Sequence, residues 1–201
     1  MDENKDAIAP ETSAPLPKKQ SRLKGAWEFI RFALTVVIVV VVVRVFIAQP
    51  FVVSGTSMVP TYQNANYLII DELTYDFRMP ERGDVIVFHP PIDMSTYYIK
   101  RIIGIPGDTI TITNSSVQIK NAQNPNGVTL TEPYITPDMP NDNFTVVVPE
   151  GQYFVMGDNR PASYDSRRWG LLPAKNITGR VFLRLFPINE LGLFPGEHAL
   201  Y

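Results

Sequence analysis

The sequence predicts a mainly β protein: one N-terminal transmembrane helix, then a partly closed, barrel-like antiparallel β domain with a small irregular β insertion. Three observations predict it. An apolar run fills residues 32–43 beside a basic flank. After residue 49, short β-type segments recur between Gly and Pro turn signals, and no amphipathic helix of ordinary length stands out. The 201 residues leave room for one membrane segment and a domain of about 150 residues.

Residues 1–20 are polar and carry Pro10, Pro15 and Pro17. They hold too little apolar surface to offset the entropy of ordering, so 1–25 reads as a flexible cytoplasmic tail. Lys18, Lys19, Arg22, Lys24 and Arg31 then face only Glu28. Residues 36–43 are all β-branched. In water that run favours a strand, but a lone strand in a bilayer leaves its backbone groups unpaired, so a helix is expected. Residues 32–48 would span about 26 Å as a helix, close to a ~30 Å hydrocarbon core. The expected anchor is 26–48, with Trp27 and Arg31 at one interface and Arg44 snorkelling to the other. The basic flank places the N-terminus in the cytoplasm and residues 49–201 outside it, in a single-pass protein of the cell membrane. A cleaved leader is the rival reading, but the 31 residues before the apolar run and Phe46 near its end fit it poorly.

Beyond the anchor, strands are expected at 67–73, 85–88, 97–105, 145–148, 152–156 and 180–186. Pro106-Gly107-Asp108 is a turn signal, and 109–113 with 117–120 reads as a hairpin. Residues 121–145 hold Pro125, Pro133, Pro137 and Pro140. They read as an insertion or a reduced second subdomain, packed down by Tyr134 and Ile135.

A net charge of −2 gives no electrostatic case for nucleic acid. The absence of cysteine excludes disulfides, thiolate catalysis and cysteine-ligated zinc. No metal or cofactor is expected. Three stretches are dense in chemistry. Ser57 lies in Val53-Ser54-Gly55-Thr56-Ser57-Met58-Val59-Pro60-Thr61. A serine needs a base to become a nucleophile, and His89 and His198 lie in no dense polar motif. Lys100 occupies an apolar strand on one face with Tyr98, Ile102 and Gly104, and burial there would favour its neutral form. An edge-strand lysine that blocks aggregation fits the same pattern. The third stretch, residues 156–170, packs Asp, Asn, Arg and Ser into one loop. Pairs of Asp158 with Arg160 and of Asp165 with Arg167 would stiffen it.

Together these stretches resemble the bacterial type I signal peptidases, in the single-anchor form. The resemblance rests on Gly55-Thr56-Ser57-Met58-Val59-Pro60, on Gly83-Asp84-Val85-Ile86-Val87-Phe88, and on Tyr98-Ile99-Lys100-Arg101-Ile102-Ile103-Gly104-Ile105-Pro106-Gly107-Asp108. Gly157-Asp158-Asn159-Arg160 completes it, with Ser163, Asp165, Ser166 and Arg167. It implies a membrane-bound serine endopeptidase that removes signal peptides from exported preproteins after small residues, of the Ala-x-Ala type. Ser57 would be the nucleophile and Lys100 the general base. Ser163 would orient the lysine amine, Asp165 and Arg167 would support the loop, and Arg101 would be a further supporting residue. Phe51, Val53 and Ile99 fall where the family lines its apolar pockets. The implied partners are preprotein signal peptides and the bilayer, with the export machinery as a further candidate. One departure is Gly55, where some members carry a serine that helps the oxyanion hole. The hole would then rest on the Ser57 N–H, with Ser54 and Thr56 as candidate second donors. A self-cleaving repressor would need a DNA-binding helical domain that is lacking here. An inactive anchored β-domain that only binds a partner is the alternative from another class.

Overall fold

The computed structural model describes residues 20–46, 48–113, 116–135 and 142–196. The chain divides into two compact units, 1–41 and 42–201. Helix α1 runs Gln20–Phe46, so the last residues of the expected tail are helical, while residues 1–19 lie outside the described residues. Its Trp27, Phe29, Phe32 and Leu34 are exposed, as are residues 36–40. Among the described residues, no helix is long and apolar enough to cross a membrane. The expected anchor, 26–48, includes side chains at 41–48 that lie outside the description.

The second unit is mainly β. Its strands are β1 (Ala48–Val52), β2 (Tyr67–Asp71), β3 (Val85–Phe88), β4 (Tyr98–Gly104), β5 (Thr109–Thr113) and β6 (Ser116–Lys120). They continue with β7 (Val128–Thr129), β8 (Phe144–Val147), β9 (Gln152–Met156), β10 (Leu172–Pro173), β11 (Ile177–Phe186) and β12 (Gly192–Leu193). Two four-residue helices, α2 (Thr74–Phe77) and α3 (Ser166–Trp169), interrupt them. Among the described residues, an antiparallel sheet runs β1-β2-β11-β3-β4-β9-β10, with β12 on β11. Bulges between Ile177 and Gly179, Val181 and Leu183, Arg184 and Phe186, and Ile102 and Gly104 curl it. Its ends, β1 and β10, are not paired with each other among the described residues. The fold is therefore a curled open sheet.

Strand β3 shows why local pattern and topology agree here. All four of its residues are buried, because it lies between β11 and β4 and has a core on each face. Val85 and Val87 pack with Val53, Met58, Tyr62, Leu68, Ile70 and Val181. Ile86 and Phe88 pack with Ile102, Tyr153, Val155 and Leu172. A strand covered on both faces loses the apolar–polar alternation of a half-exposed one. Strand β1 escaped the sequence reading for the opposite reason. Gln49 and Pro50 weaken its signal, yet proline is tolerated at a sheet edge, where its missing N–H leaves no ladder bond unmade.

Residues 121–145, expected as an insertion or a reduced second subdomain, take part in a second sheet among the described residues. The hairpin β5–β6 forms the middle of a separate sheet, ordered β7-β6-β5-β8. Ile110, Ile112, Val117 and Ile119 turn one face of it onto Ile103, Phe154 and Met156 of the larger sheet. The 121–145 segment supplies β7, Leu130 and Tyr134 to this core and leads into β8; its residues 136–141 lie outside the described residues. Two-residue pairing of β7 is too short to signal itself in sequence.

The two sheets meet at Gly104. A Cβ there would collide with Ile110 Cδ1 and lie 3.1 Å from Phe154 Cβ. Gly104→Ala is expected to destabilise the domain by about 1–3 kcal/mol, as overpacked cores do. Ile110→Val, which removes that Cδ1, is expected to restore part of the loss in chemical denaturation of the double variant.

Candidate active site

The chain leaves β1 and turns through residues 53–66 before entering β2. The turn is closed by Val53 N–H to the Asn66 carbonyl at 2.9 Å and by Ala65 N–H to the Val53 carbonyl at 2.9 Å. Gly55 N–H donates to Asn64 Oδ1 at 3.0 Å, and Gly55 has φ +99°, a region L side chains rarely adopt. Met58 next to the serine is fully buried and acts as a plug. Asn159 holds the serine from the other side: its N–H donates to the Ser57 carbonyl at 3.0 Å, and its Nδ2 donates to the Thr56 carbonyl at 3.0 Å. Ser57 is thereby fixed by its main chain while its side chain lines a cleft.

Lys100 pairs with Ile86 in the β3–β4 ladder and is only 4% exposed. Its Nζ lies 2.7 Å from Ser57 Oγ, donates to the Ile99 carbonyl at 2.8 Å and sits 5.4 Å from the centre of the Tyr98 ring. Burial pushes the Lys100 amine down to about 8, against the carboxylates of Asp165 and Asp158, which act to raise it. His89 is elsewhere engaged: Nδ1 is 2.9 Å from the Thr96 carbonyl, and the ring packs on Tyr97. His198 lies outside the described residues.

Ser163 does not take the expected bond to the lysine. Its Oγ is buried without a hydrogen-bond partner among the described residues, and the carbonyl of Ile99, one residue from the amine, is the second partner instead. Ser163 is close to the Ser57 backbone nonetheless. A Cβ on Gly157 would strike both Ser163 Oγ and the Ser57 carbonyl, so the glycine permits the approach of these two segments.

The expected Asp158–Arg160 pair is also corrected. Both oxygens of Asp158 are taken by Arg101, Nε to Oδ1 at 2.9 Å and Nη2 to Oδ2 at 2.6 Å, and Thr61 Oγ1 donates to the same Oδ2 at 2.6 Å. Arg160 turns the other way, donating Nε to the Gly157 carbonyl at 3.0 Å and pairing through its terminal nitrogens with Glu132. The Asp165–Arg167 pair forms, with Nε to Oδ1 at 2.8 Å. Asp165 also accepts Gly157 N–H at 3.0 Å and caps α3, while Arg167 reaches the Arg160 carbonyl at 2.6 Å and Asp142 at 3.2 Å. Glu132 and Asp142 had no local signal, since each meets its arginine across 25 residues or more of chain.

The cleft beside Ser57 holds about 570 Å³, and Phe51, Val53 and Ile99 all line it. Ser54, Gly55 and Thr56 are exposed at its rim. Strand β9 pairs with β4 only from Arg101 onward. Residues Tyr98, Ile99 and Lys100 pair with β3 on one side, and among the described residues no strand covers their other edge. An extended peptide can therefore add there by main-chain pairing.

The depressed lysine has a consequence for stability. Its folded value, about 8, lies below its ordinary value of 10.5, so the unfolded chain binds more protons between the two and folding becomes more favourable as pH rises through that window. Lys100→Met removes this dependence. Relative to wild type, its Tm is expected to be highest below pH 8 and to lose that advantage between pH 8 and 10, as read by thermal unfolding.

The family model for signal peptidase, peptidase S26, matches residues 26–186 of this chain. A probable signal peptidase I-2 of Synechocystis is 38% identical over 186 residues, covering 90% of this chain and 83% of that protein. A signal peptidase I of Leptolyngbya laminosa is 35% identical over 204 residues, covering 96% of each. A crystal structure of a signal peptidase I from Enterococcus faecalis V583 is 34% identical, with a TM-score of 0.43, covering 51% of this chain and 97% of that one. A family model matched along most of the chain, together with relatives at this identity, decides the assignment: the chain belongs to the signal peptidase family, peptidase S26.

Proposed function

We propose that this chain removes N-terminal signal peptides from exported preproteins, with Ser57 as nucleophile and Lys100 as general base. Family membership makes it a serine endopeptidase of signal-peptide processing. The observation that carries the dyad is the 2.7 Å approach of Lys100 Nζ to Ser57 Oγ inside a buried site. That separation is within reach for direct proton transfer.

A preprotein segment pairs with the free edge of residues 98–100 and lays its scissile carbonyl against Ser57. Neutral Lys100 takes the hydroxyl proton as Oγ bonds to the carbonyl carbon, and the resulting ammonium gives that proton to the leaving amine. A water, deprotonated by Lys100, then attacks the ester, and the Ser57 Oγ leaves with a proton from the lysine. The backbone N–H of Ser57 has no acceptor among the described residues, which supports its use as the oxyanion donor, and the hydroxyls of Ser54 or Thr56 at the rim are within the same turn. Ser163, Asp165, Arg167 and Arg101 hold the loop and the base strand. Phe51, Val53 and Ile99 narrow the cleft, so small residues such as Ala fit before the cut and larger ones clash.

The proposal also keeps the domain at a membrane, with segment 26–48 as a single anchor, the N-terminus cytoplasmic and the peptidase domain outside. The basic flank and apolar run support it. So do exposed apolar side chains: Val52 at the cleft's rim pairs with Tyr67, which pairs with Phe186, and Leu185, Ile188, Leu191 and Leu193 later in the chain are exposed as well. Held there, the site meets substrates at a raised effective concentration.

Ser57→Ala and Lys100→Ala are each expected to lower preprotein cleavage in detergent by a thousand-fold or more, on the order seen when dyad and triad members are removed. Cleavage retained in either variant overturns the dyad, and a wild type that binds preprotein without cutting it favours the anchored binding protein instead. In the wild type, the neutral amine is the active form. Activity should therefore rise with pH through a midpoint near 8 and level off above it. A flat profile between pH 6 and 9 would rule out Lys100 as the base.

A further inference from the structure

Residues 194–196, which follow β12, fold back into the buried polar network under the site. Phe194 N–H donates to the Phe182 carbonyl at 2.8 Å. The Phe194 ring packs edge-on against Phe182 at 5.3 Å, and the Arg180 guanidinium lies 4.3 Å from its centre. Phe194 holds φ +45°, a conformation a bulky side chain adopts only when its surroundings impose it. The next two carbonyls point inward. The Pro195 carbonyl accepts from the Tyr62 hydroxyl. The Gly196 carbonyl accepts from Arg101 Nη1 at 2.5 Å.

Those two donors belong to the two halves of the dyad. Tyr62 closes the turn that carries Ser57, donating its N–H to the Met58 carbonyl at 2.9 Å. Arg101 adjoins Lys100 on β4 and takes both oxygens of Asp158. Gly196 also has no room for a side chain: its φ is +78°, and a Cβ would collide with Thr61 Cγ2 and lie 3.3 Å from Arg101 Nη2. Thr61 is itself bonded to Asp158. The segment thus contacts the serine turn at Thr61 and Tyr62 and the lysine strand at Arg101.

We propose that residues 194–196 form a positioning clasp, which joins the Ser57 turn to the Lys100 strand through the Pro195 and Gly196 carbonyls. The inference rests on the Ser57–Lys100 reading. Without the clasp, Arg101 Nη1 keeps only the Gly83 carbonyl, at 3.0 Å, and its hold on Asp158 loosens. The charged groups that act on Lys100 are Asp165 and Asp158, with Arg101 beside it and the Tyr98 ring over it. An Asp158 less well neutralised by Arg101 favours the lysine ammonium, so the active neutral form is reached at higher pH.

The test uses the full chain, a stop after His198 as control, a stop after Leu193 that removes the clasp, and Gly196→Ala. All are assayed on a fluorogenic peptide with an Ala-x-Ala cleavage sequence. The His198 stop is expected to match wild type. The Leu193 stop and Gly196→Ala are expected to lose about tenfold in kcat with KM within about twofold, and to move the midpoint of the pH profile upward. Tyr62→Phe, which removes only the hydroxyl, is expected to lower kcat several-fold in the full chain and to have no further effect in the Leu193 stop, because both changes break one link. Wild-type kcat and pH midpoint in a folded Leu193 stop would overturn the clasp. If that chain does not fold, the same result in Gly196→Ala overturns it, as do independent, multiplying effects of Tyr62→Phe and Gly196→Ala. Cleavage that survives Ser57→Ala would instead overturn the dyad reading.

Discussion

The interaction on which the rest of the structure depends is the ion pair of Arg101 and Asp158, both fully buried. Taking two charges out of water is costly, and a buried pair is tolerated when every donor and lone pair is met. Here Arg101 is met by two carboxylate oxygens, the carbonyls of Gly83 and Gly196, and the Tyr134 ring at 4.0 Å. Asp158 is met by the guanidinium and by Thr61. The pair joins β4, which carries Lys100, to the loop after β9, and Asn159 one residue on grips the backbone of Thr56 and Ser57. The contact between Ser57 and Lys100 is therefore an outcome of packing at Arg101, one residue from the lysine and on the other face of the strand.

This arrangement separates two demands that conflict. A lysine becomes neutral near physiological pH only when water is kept away, yet the carboxylates that stiffen the loop favour its charged form. Asp158 is neutralised by Arg101, and Asp165 by Arg167. Their fields at Lys100 are weakened enough for burial to dominate, and the amine ends near 8. The arginines thus favour the neutral form of Lys100 indirectly, by keeping the supporting carboxylates paired.

The second sheet contributes to the same end. Its core buries Tyr134, which underlies Arg101, and the segment leading to it carries Glu132, the partner of Arg160. Arg160 in turn holds the Gly157 carbonyl, and Gly157 is where the loop, Ser163 and Ser57 come closest. A segment that looks like an irregular insertion is in this way part of the scaffold for the site.

The sequence by itself determined the β class and the positions of the main strands, because these rest on local signals; the pairing of Ser57 with Lys100 was implied by the family resemblance, since an edge-strand lysine fits the local pattern as well. Apolar runs between turn residues mark strands. Phe51, Val53 and Ile99 were legible for their resemblance to known pocket positions, and all three line the cleft. Tertiary structure alone decided the partners. Asp158 chose Arg101 over the nearby Arg160, Arg160 chose Glu132, and Ser163 left Lys100 to the Ile99 carbonyl. It also decided that 109–147 closes into a second sheet, and that residues 194–196 return to Tyr62 and Arg101. Such choices depend on which groups are brought together from positions far apart in the chain, 28 residues for Arg160 and Glu132 and 133 for Tyr62 and Pro195, and on which of them must satisfy a buried charge. No local pattern encodes that distance, whereas a strand's alternation or a turn's glycine is written within a few residues.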